Sequence, residues 1–307
     1  MKEQEKFGAT DLFMLSAVLV WGVNFSFVKI ALREFSPLGF NGIRLFFASL
    51  ILIFVLFISK EGFSIQKSDL LKIFILSIIG NTAFQLLFIH GLNWTTASKT
   101  SIVMAMTPVF VALLSTGLKY EKIHWAGWVG IAISFIGFYF VITNQVGTFR
   151  FSWQSLRGDL FIFAGNFFWA VYTVFSKPLL EKISPLKLTS VTLAVGTFFF
   201  LPFAAKDVIQ LNWNDLSMQA WAALFFSAVF AIAICYVIWY ASVKRVGNSK
   251  TAVYGYITPV FTVIFAYFFL SEVLTLLQIV GGLIIITGVY LTRSGYRFFE
   301  KKPNNGV

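Results

Sequence analysis

The sequence predicts an all-α integral membrane protein with ten transmembrane helices arranged as two inverted five-helix repeats. Three observations predict it. Of the 307 residues, 58% are hydrophobic and only 12% charged, where a soluble domain carries about a quarter charged residues; apolar runs of about 20 residues, the length that crosses a bilayer, follow one another with little between them. Lys and Arg collect at one side of those runs. The string "SKTSIVMAMTPVF" at 98–110 returns as "SKTAVYGYITPVF" at 249–261.

The elements follow from the punctuation between apolar runs. The first span, 12–32, follows a lead containing two glutamates, is long, and has no small-x-small cleavage site, so it is a retained helix and not a secretory leader. "REFSP" then opens 38–58, "SKEGFSIQKSD" leads to 70–92, "NWTTASK" to 98–118 and "KYEKIH" to 124–143. The longest connection, "NQVGTFRFSWQSLRG", separates the halves; beyond it come spans at 159–180, 186–205, 218–242, 249–270 and 275–293. The resulting organisation is a tail at 1–11, a first repeat at 12–144, a loop at 145–158, a second repeat at 159–293 and a tail at 294–307.

With loops this short, the positive-inside rule applies. If both termini are cytoplasmic, 17 of the 24 Lys and Arg residues fall on that side and 5 on the other, with Lys29 and Arg44 inside spans. The expected location is therefore the cell (plasma or inner) membrane, multi-pass, with both ends inside.

The repeat extends beyond the echoed string. A shift of 148 pairs Asp11 with Asp159, Trp21 with Trp169, Lys29 with Lys177 and Ser36-Pro37 with Ser184-Pro185. A shift of 151 pairs Lys99 with Lys250, Thr107-Pro108 with Thr258-Pro259, Glu121 with Glu272, Gly130 with Gly281 and Gly137 with Gly288. Five spans per half is an odd number, so the second half enters the bilayer from the opposite side. Inverted repeats around a midplane site are the architecture of secondary transporters.

"WGVNFSFVK", "SP" and Arg44 in the first half, with "TPVF…YE" and "TPVF…SE" before a glycine-bearing last span in each half, resemble the drug/metabolite transporter superfamily, in its EamA-like ten-helix branch. The resemblance spans Asp11 to about Arg293 and implies the DMT/EamA-like fold and a permease or exporter of small metabolites, commonly amino acids, with a central cavity between the halves. The second half departs from the pattern: Ala170 follows Trp169, and Thr192 stands where the first half has Arg44.

Polar side chains inside a bilayer are costly and face a cavity or a partner helix. On that ground the tentative substrate cavity comprises Trp21, Asn24, Arg44, Asn81, Gln85, Met104, Trp169, Tyr172, Tyr236, Tyr254 and Tyr256, with Ser26, Thr82, Asn166, Thr173 and Trp239 as further polar or wall candidates. The alternative for each is an ordinary hydrogen bond between helices or a place in an interfacial belt. Arg44, about 10 Å into its helix, either binds a substrate carboxylate or snorkels to the surface; Lys29 and Lys177 are expected to snorkel. Pro108, Gly255 and Pro259 form a tentative hinge, because proline leaves a carbonyl one turn back without its helical partner. Thr107 and Thr258 are expected to bond back to Val103 and Tyr254, and Glu121 and Glu272 to cap helix starts. The glycines of the last spans serve internal packing or a dimer face, and monomer or homodimer stays undecided.

Other classes find no support. His90 and His124 lack metal-ligand spacing, so no metal site is expected; there is no HExxH, GxSxG or GxxxxGK[ST], so no catalytic residues, no cofactor and no ATP use are expected. The basic residues sit at span ends and not in a patch, which argues against nucleic acid. Cys235 lies in an apolar run, and Asn93-Trp94-Thr95 sits in a loop too short to favour glycosylation. All thirteen acids are read at helix ends or in loops, so no mid-bilayer carboxylate is available to carry a proton. The expected partners are a small-molecule substrate and the lipid bilayer; a non-transporting scaffold would leave the inverted repeat without a purpose.

Overall fold

The computed structural model describes residues 8–119, 124–143 and 152–294; expectations concerning 1–7, 120–123 (with Glu121), 144–151 and 295–307 lie outside them. The described residues contain no strand, and ten helices cross the fold: α1 Ala9–Ala31, α2 Pro37–Ile58, α3 Lys67–Trp94, α4 Ala97–Gly117, α5 Trp125–Thr143, α6 Trp153–Leu180, α7 Pro185–Ile209, α8 Met218–Val246, α9 Asn248–Leu270 and α10 Leu276–Ser294. Large apolar side chains such as Phe54, Phe57, Phe198 and Phe268 point outward, the distribution a bilayer demands and water penalises.

Local chemistry sets the starts. Ser36 and Ser184 accept hydrogen bonds from Gly39 N (3.2 Å) and Lys187 N (3.0 Å), with Pro37 and Pro185 at the first helical position; the repeated "SP" is thus an N-cap followed by a residue that needs no donor. Ser152 caps α6 in the same way, so that helix begins at Trp153, six residues before the expected 159. The inter-repeat connection is correspondingly shorter than 145–158. Apolarity marks only the part of a helix within the hydrocarbon, and the polar first turn was invisible to it.

α3 and α8 each contain a π-helical stretch, Ile78–Ala83 and Ser227–Ile234, which the repeat shift of 151 nearly superposes. α4 and α9 are each broken: α4 between Met104 and Thr107, α9 by a 3-10 turn at Tyr254–Tyr256. In both, the proline enters as the second residue of the following helical segment, where its missing N–H costs no helical bond.

The helices pack as an interlocked inverted pair. α1 lies against α8 and α9, α6 against α3 and α4, α2 against α7, and α5 against α10. Exchanging the halves converts each contact into another of the set. Ser49 and Thr197, repeat mates, bond hydroxyl to hydroxyl at 2.8 Å between α2 and α7. Between α5 and α10 the repeat-related glycines meet: a Cβ at Gly288 would stand 2.5 Å from Gly130 O and 2.6 Å from Ser134 N, and one at Gly137 would stand 2.6 Å from Gly281 O. These glycines therefore serve close packing within the chain.

Candidate functional site

α1, α2, α3, α4, α6, α8 and α9 together surround one small cavity between the two halves. Of the expected residues, Trp21, Asn24, Arg44, Gln85, Met104, Trp169, Tyr236 and the wall candidate Trp239 line it, as does the expected hinge residue Gly255; Phe25, Phe84, Phe88, Thr107, Ala231, Ile232 and Thr258 complete the wall. Asn81, Tyr172, Tyr254 and Tyr256 do not line it.

Much of the wall is built from repeat mates. Trp21 faces Trp169 edge to face with ring centroids 6.3 Å apart, and Gln85 Nε2 donates to the hydroxyl of its mate Tyr236 at 2.8 Å. Phe88 and Trp239, Met104 and Gly255, and Thr107 and Thr258 are further mates lining the same space. Applying the shift of 151 to the wall candidate Trp239 would have brought Phe88 into the candidate set from sequence alone. Trp239 packs 5.4 Å from Trp21 and 5.9 Å from Trp169, giving three indoles around one void.

The symmetry fails at the polar end. Asn24 and Arg44 line the cavity, whereas their mates, Tyr172 and Thr192, bond to each other at 2.5 Å outside it. The Tyr172 ring lies over Gly80, where a Cβ would come within 2.3 Å of it. One half carries the polar anchor, and the other has filled the corresponding space with a phenol.

Arg44 is 2% exposed, so it does not snorkel. Its Nε donates to Asn41 Oδ1 at 2.6 Å, Nη1 to Ser227 Oγ at 2.8 Å and Nη2 to Gln85 Oε1 at 2.9 Å. The guanidinium carbon also stands 5.4 Å from the Phe40 ring centroid and 5.6 Å from that of Phe88. The π stretches contribute directly: Ser227 opens that of α8, and Gln85 follows that of α3. All three partners are neutral, and among the described residues no carboxylate forms an ion pair with Arg44. Asn24 Oδ1 is a buried acceptor with no partner among the described residues.

At the face where α1 ends, Lys99 and Asp159 form a buried ion pair, 1% and 0% exposed, with Thr95 Oγ1 also donating to Asp159 at 2.6 Å. This corrects the reading of every acid as terminal or in a loop, because Asp159 lies six residues inside α6. Lys29 turns onto the end of α3, donating to Leu92 O at 3.1 Å and Thr95 O at 2.9 Å; exposed carbonyls and the negative helix end hold the cation there, where the sequence suggested an outward reach. Glu272 caps α4, accepting from Ala97 N and Ser98 N at 2.9 Å each, so its capping reaches a helix of the other half. At the opposite face, Lys99's mate Lys250 is exposed, and Asp159's mate Asp11 accepts from Tyr254 Oη.

Asn166 is fully buried and clamps the break in α4, donating to Val103 O at 3.1 Å and Met104 O at 3.4 Å while accepting from Thr107 Oγ1 at 2.6 Å. Thr107 Oγ1 also stands 2.6 Å from Met104 O and not against Val103 O, its single proton shared with Asn166 Oδ1, so the carbonyl deprived of its partner by Pro108 meets the Asn166 amide and a share of the Thr107 hydroxyl. In α9, Tyr254 O accepts from Ile257 N at 3.1 Å.

No group of three or more metal-ligating side chains occurs among the described residues. A family model for the EamA-like transporter family matches residues 8–143 and 156–294. An uncharacterized transporter of Archaeoglobus fulgidus is 33% identical over 286 residues, 92% of this chain and 96% of its own. The uncharacterized transporter YyaM of Bacillus subtilis is 29% identical over 289 residues, covering 92% and 93%. A solved protein crystal structure shares the fold with a TM-score of 0.70 at 16% identity, over 96% of this chain and 99% of its own.

Proposed function

The chain belongs to the EamA-like transporter family, and from that premise we propose that it is a secondary transporter of the cell membrane, both termini cytoplasmic, exporting amino acids or related small metabolites by alternating access. The observation that carries the reading is a cavity between the halves walled largely by inverted repeat mates, with a buried guanidinium that no acid among the described residues neutralises. Such a group offers a substrate carboxylate charge-assisted bonds in a low-dielectric site. Three indoles supply an apolar wall for the rest of the molecule. The same wall supports a second reading, a permease for nucleobases or amphipathic drugs, whose flat rings would stack there.

Access alternates because the two routes are sealed by repeat-related groups. The buried Lys99–Asp159 pair holds α4 to α6 on the outer side. The inner route closes when Lys250 moves to the position relative to Asp11 that Lys99 holds relative to Asp159, exchanging the conformations of the halves. The test is counterflow in proteoliposomes with labelled amino acids, nucleobases and sugar phosphates. Saturable exchange of amino acids is the expected result; correctly inserted protein that moves none of the panel overturns the proposal, and exchange confined to nucleobases transfers it to the second reading.

A further inference from the structure

The transport reading leaves the substrate's charge open, and the cavity's own charges decide it. Arg44 brings one permanent positive charge, and no Asp or Glu is among the lining residues. Three of the five guanidinium N–H groups are engaged, one on each nitrogen, leaving one on Nη1 and one on Nη2, enough for the two oxygens of one carboxylate. Among the lining side chains, the fully buried polar atom without a partner is Asn24 Oδ1, which is an acceptor.

We infer that the cavity is built for a small monoanionic carboxylate bearing one neutral hydrogen-bond donor and an apolar body, a 2-hydroxy acid or its close relative, in preference to a zwitterion. The inference rests on the reading of this cavity as the transport site. A carboxylate on Arg44 leaves the filled site neutral, and a hydroxyl satisfies Asn24 with a single proton. An ammonium in the same place brings a second positive charge, and none of its three N–H groups meets a charged acceptor in the lining; desolvating that charge without a counter-charge opposes binding. The repeat supports the assignment: Asn24 and Arg44 face the cavity together, and their mates Tyr172 and Thr192 are withdrawn together into a bond of their own.

Four probes with one aromatic body separate the contributions: 3-phenyllactate (anion with hydroxyl), 3-phenylpropanoate (anion alone), phenylalanine (zwitterion) and phenethylamine (cation). Their binding to the full-length protein in chloride-free nanodiscs is read by tryptophan fluorescence, since three indoles line the cavity, and their counterflow is read in liposomes. The expected order of affinity is as given, with 3-phenyllactate about tenfold or more tighter than phenylalanine, a difference of one good charge-assisted contact. Asn24→Leu is expected to bring 3-phenyllactate down to the level of 3-phenylpropanoate, and Arg44→Gln to abolish the preference for anions. Phenylalanine binding as tightly as 3-phenyllactate, an unchanged hydroxyl preference in Asn24→Leu, or no binding of any probe by the folded wild type overturns the inference. The wild-type order and Asn24→Leu decide the matter even if Arg44→Gln does not fold. Selective binding without counterflow overturns the transport reading while leaving the site; counterflow that favours zwitterions or cations overturns the site while leaving transport.

Discussion

α4 and α9 open on nearly the same string, "SKTSIVMAMTPVF" and "SKTAVYGYITPVF", and occupy inverted places in the fold. In α4, 72% of the membrane window is buried; in α9, 22%. Lys99 lies in a buried ion pair, while Lys250 is exposed. The break in α4 is clamped by Asn166, whereas the position that the shift of 148 assigns as its mate holds Val18, a side chain with no polar atom. Strings that share their SKT and TPVF ends therefore open a mostly buried helix in one half and a mostly exposed one in the other, and the partner helices α6 and α1 present different side chains to the two breaks. Local sequence supplies the capacity to break, and tertiary contacts decide which copy is held.

The largest expected effect breaks the ion pair. Lys99→Met leaves Asp159 buried without its cation, which costs about 3–5 kcal/mol. Lys250→Met removes an exposed charge, whose interactions are screened by solvent, and is expected to change stability by no more than about 1 kcal/mol. Chemical unfolding of both variants in detergent measures the contrast, and pairing Lys99→Met with Asp159→Leu should recover much of the loss. Equal effects of the two lysine substitutions would show that the asymmetry of α4 and α9 has no energetic content.

An intermediate effect is expected from the clamp. Asn166→Leu strips Val103 O, Met104 O and the Thr107 hydroxyl of a partner and should destabilise by about 1–3 kcal/mol. The converse change, Val18→Asn, offers α9 the clamp it lacks. It is expected to slow counterflow more than it alters stability, because α9 would then be held as α4 is.

Residues differ in how much of this was readable beforehand. The ten spans and the inversion follow from apolar run length and from an echo of thirteen residues, and both survive because a bilayer enforces them everywhere. The pairing of Gln85 with Tyr236 was implicit in the shift of 151. The roles of Arg44 and Lys29 were open, since whether a long cation snorkels or turns inward depends on which acceptors neighbouring helices present. Tyr172 was grouped with the cavity because polarity alone does not report direction; the space over Gly80 takes its ring instead. Asp159 was read as a terminus because its helix starts with polar residues. The π stretches have no composition signal at all, yet one supplies Ser227 to Arg44.

The smallest expected effect, and the finest test of the comparison, concerns the two prolines. Each is the second residue of its helical segment, so neither removes a bond within that segment, and replacing either with alanine should shift stability by under about 1 kcal/mol. Their effects on motion should differ. In α4 the break persists without Pro108, because Asn166 and Thr107 still occupy the carbonyls of Val103 and Met104. In α9, alanine at 259 restores a donor for Gly255 O and allows the 3-10 turn at Tyr254–Tyr256 to wind into continuous helix. Pro259→Ala is therefore expected to narrow the spin-label distance distribution across the mouth beside Lys250 and slow counterflow several-fold, while Pro108→Ala leaves both near wild type. If the two variants behave alike, the breaks are static packing features and the clamp does not distinguish them. If Pro108→Ala has the larger effect, the mobile copy is α4, and the sealed state around Lys99 and Asp159 is the one that proline maintains.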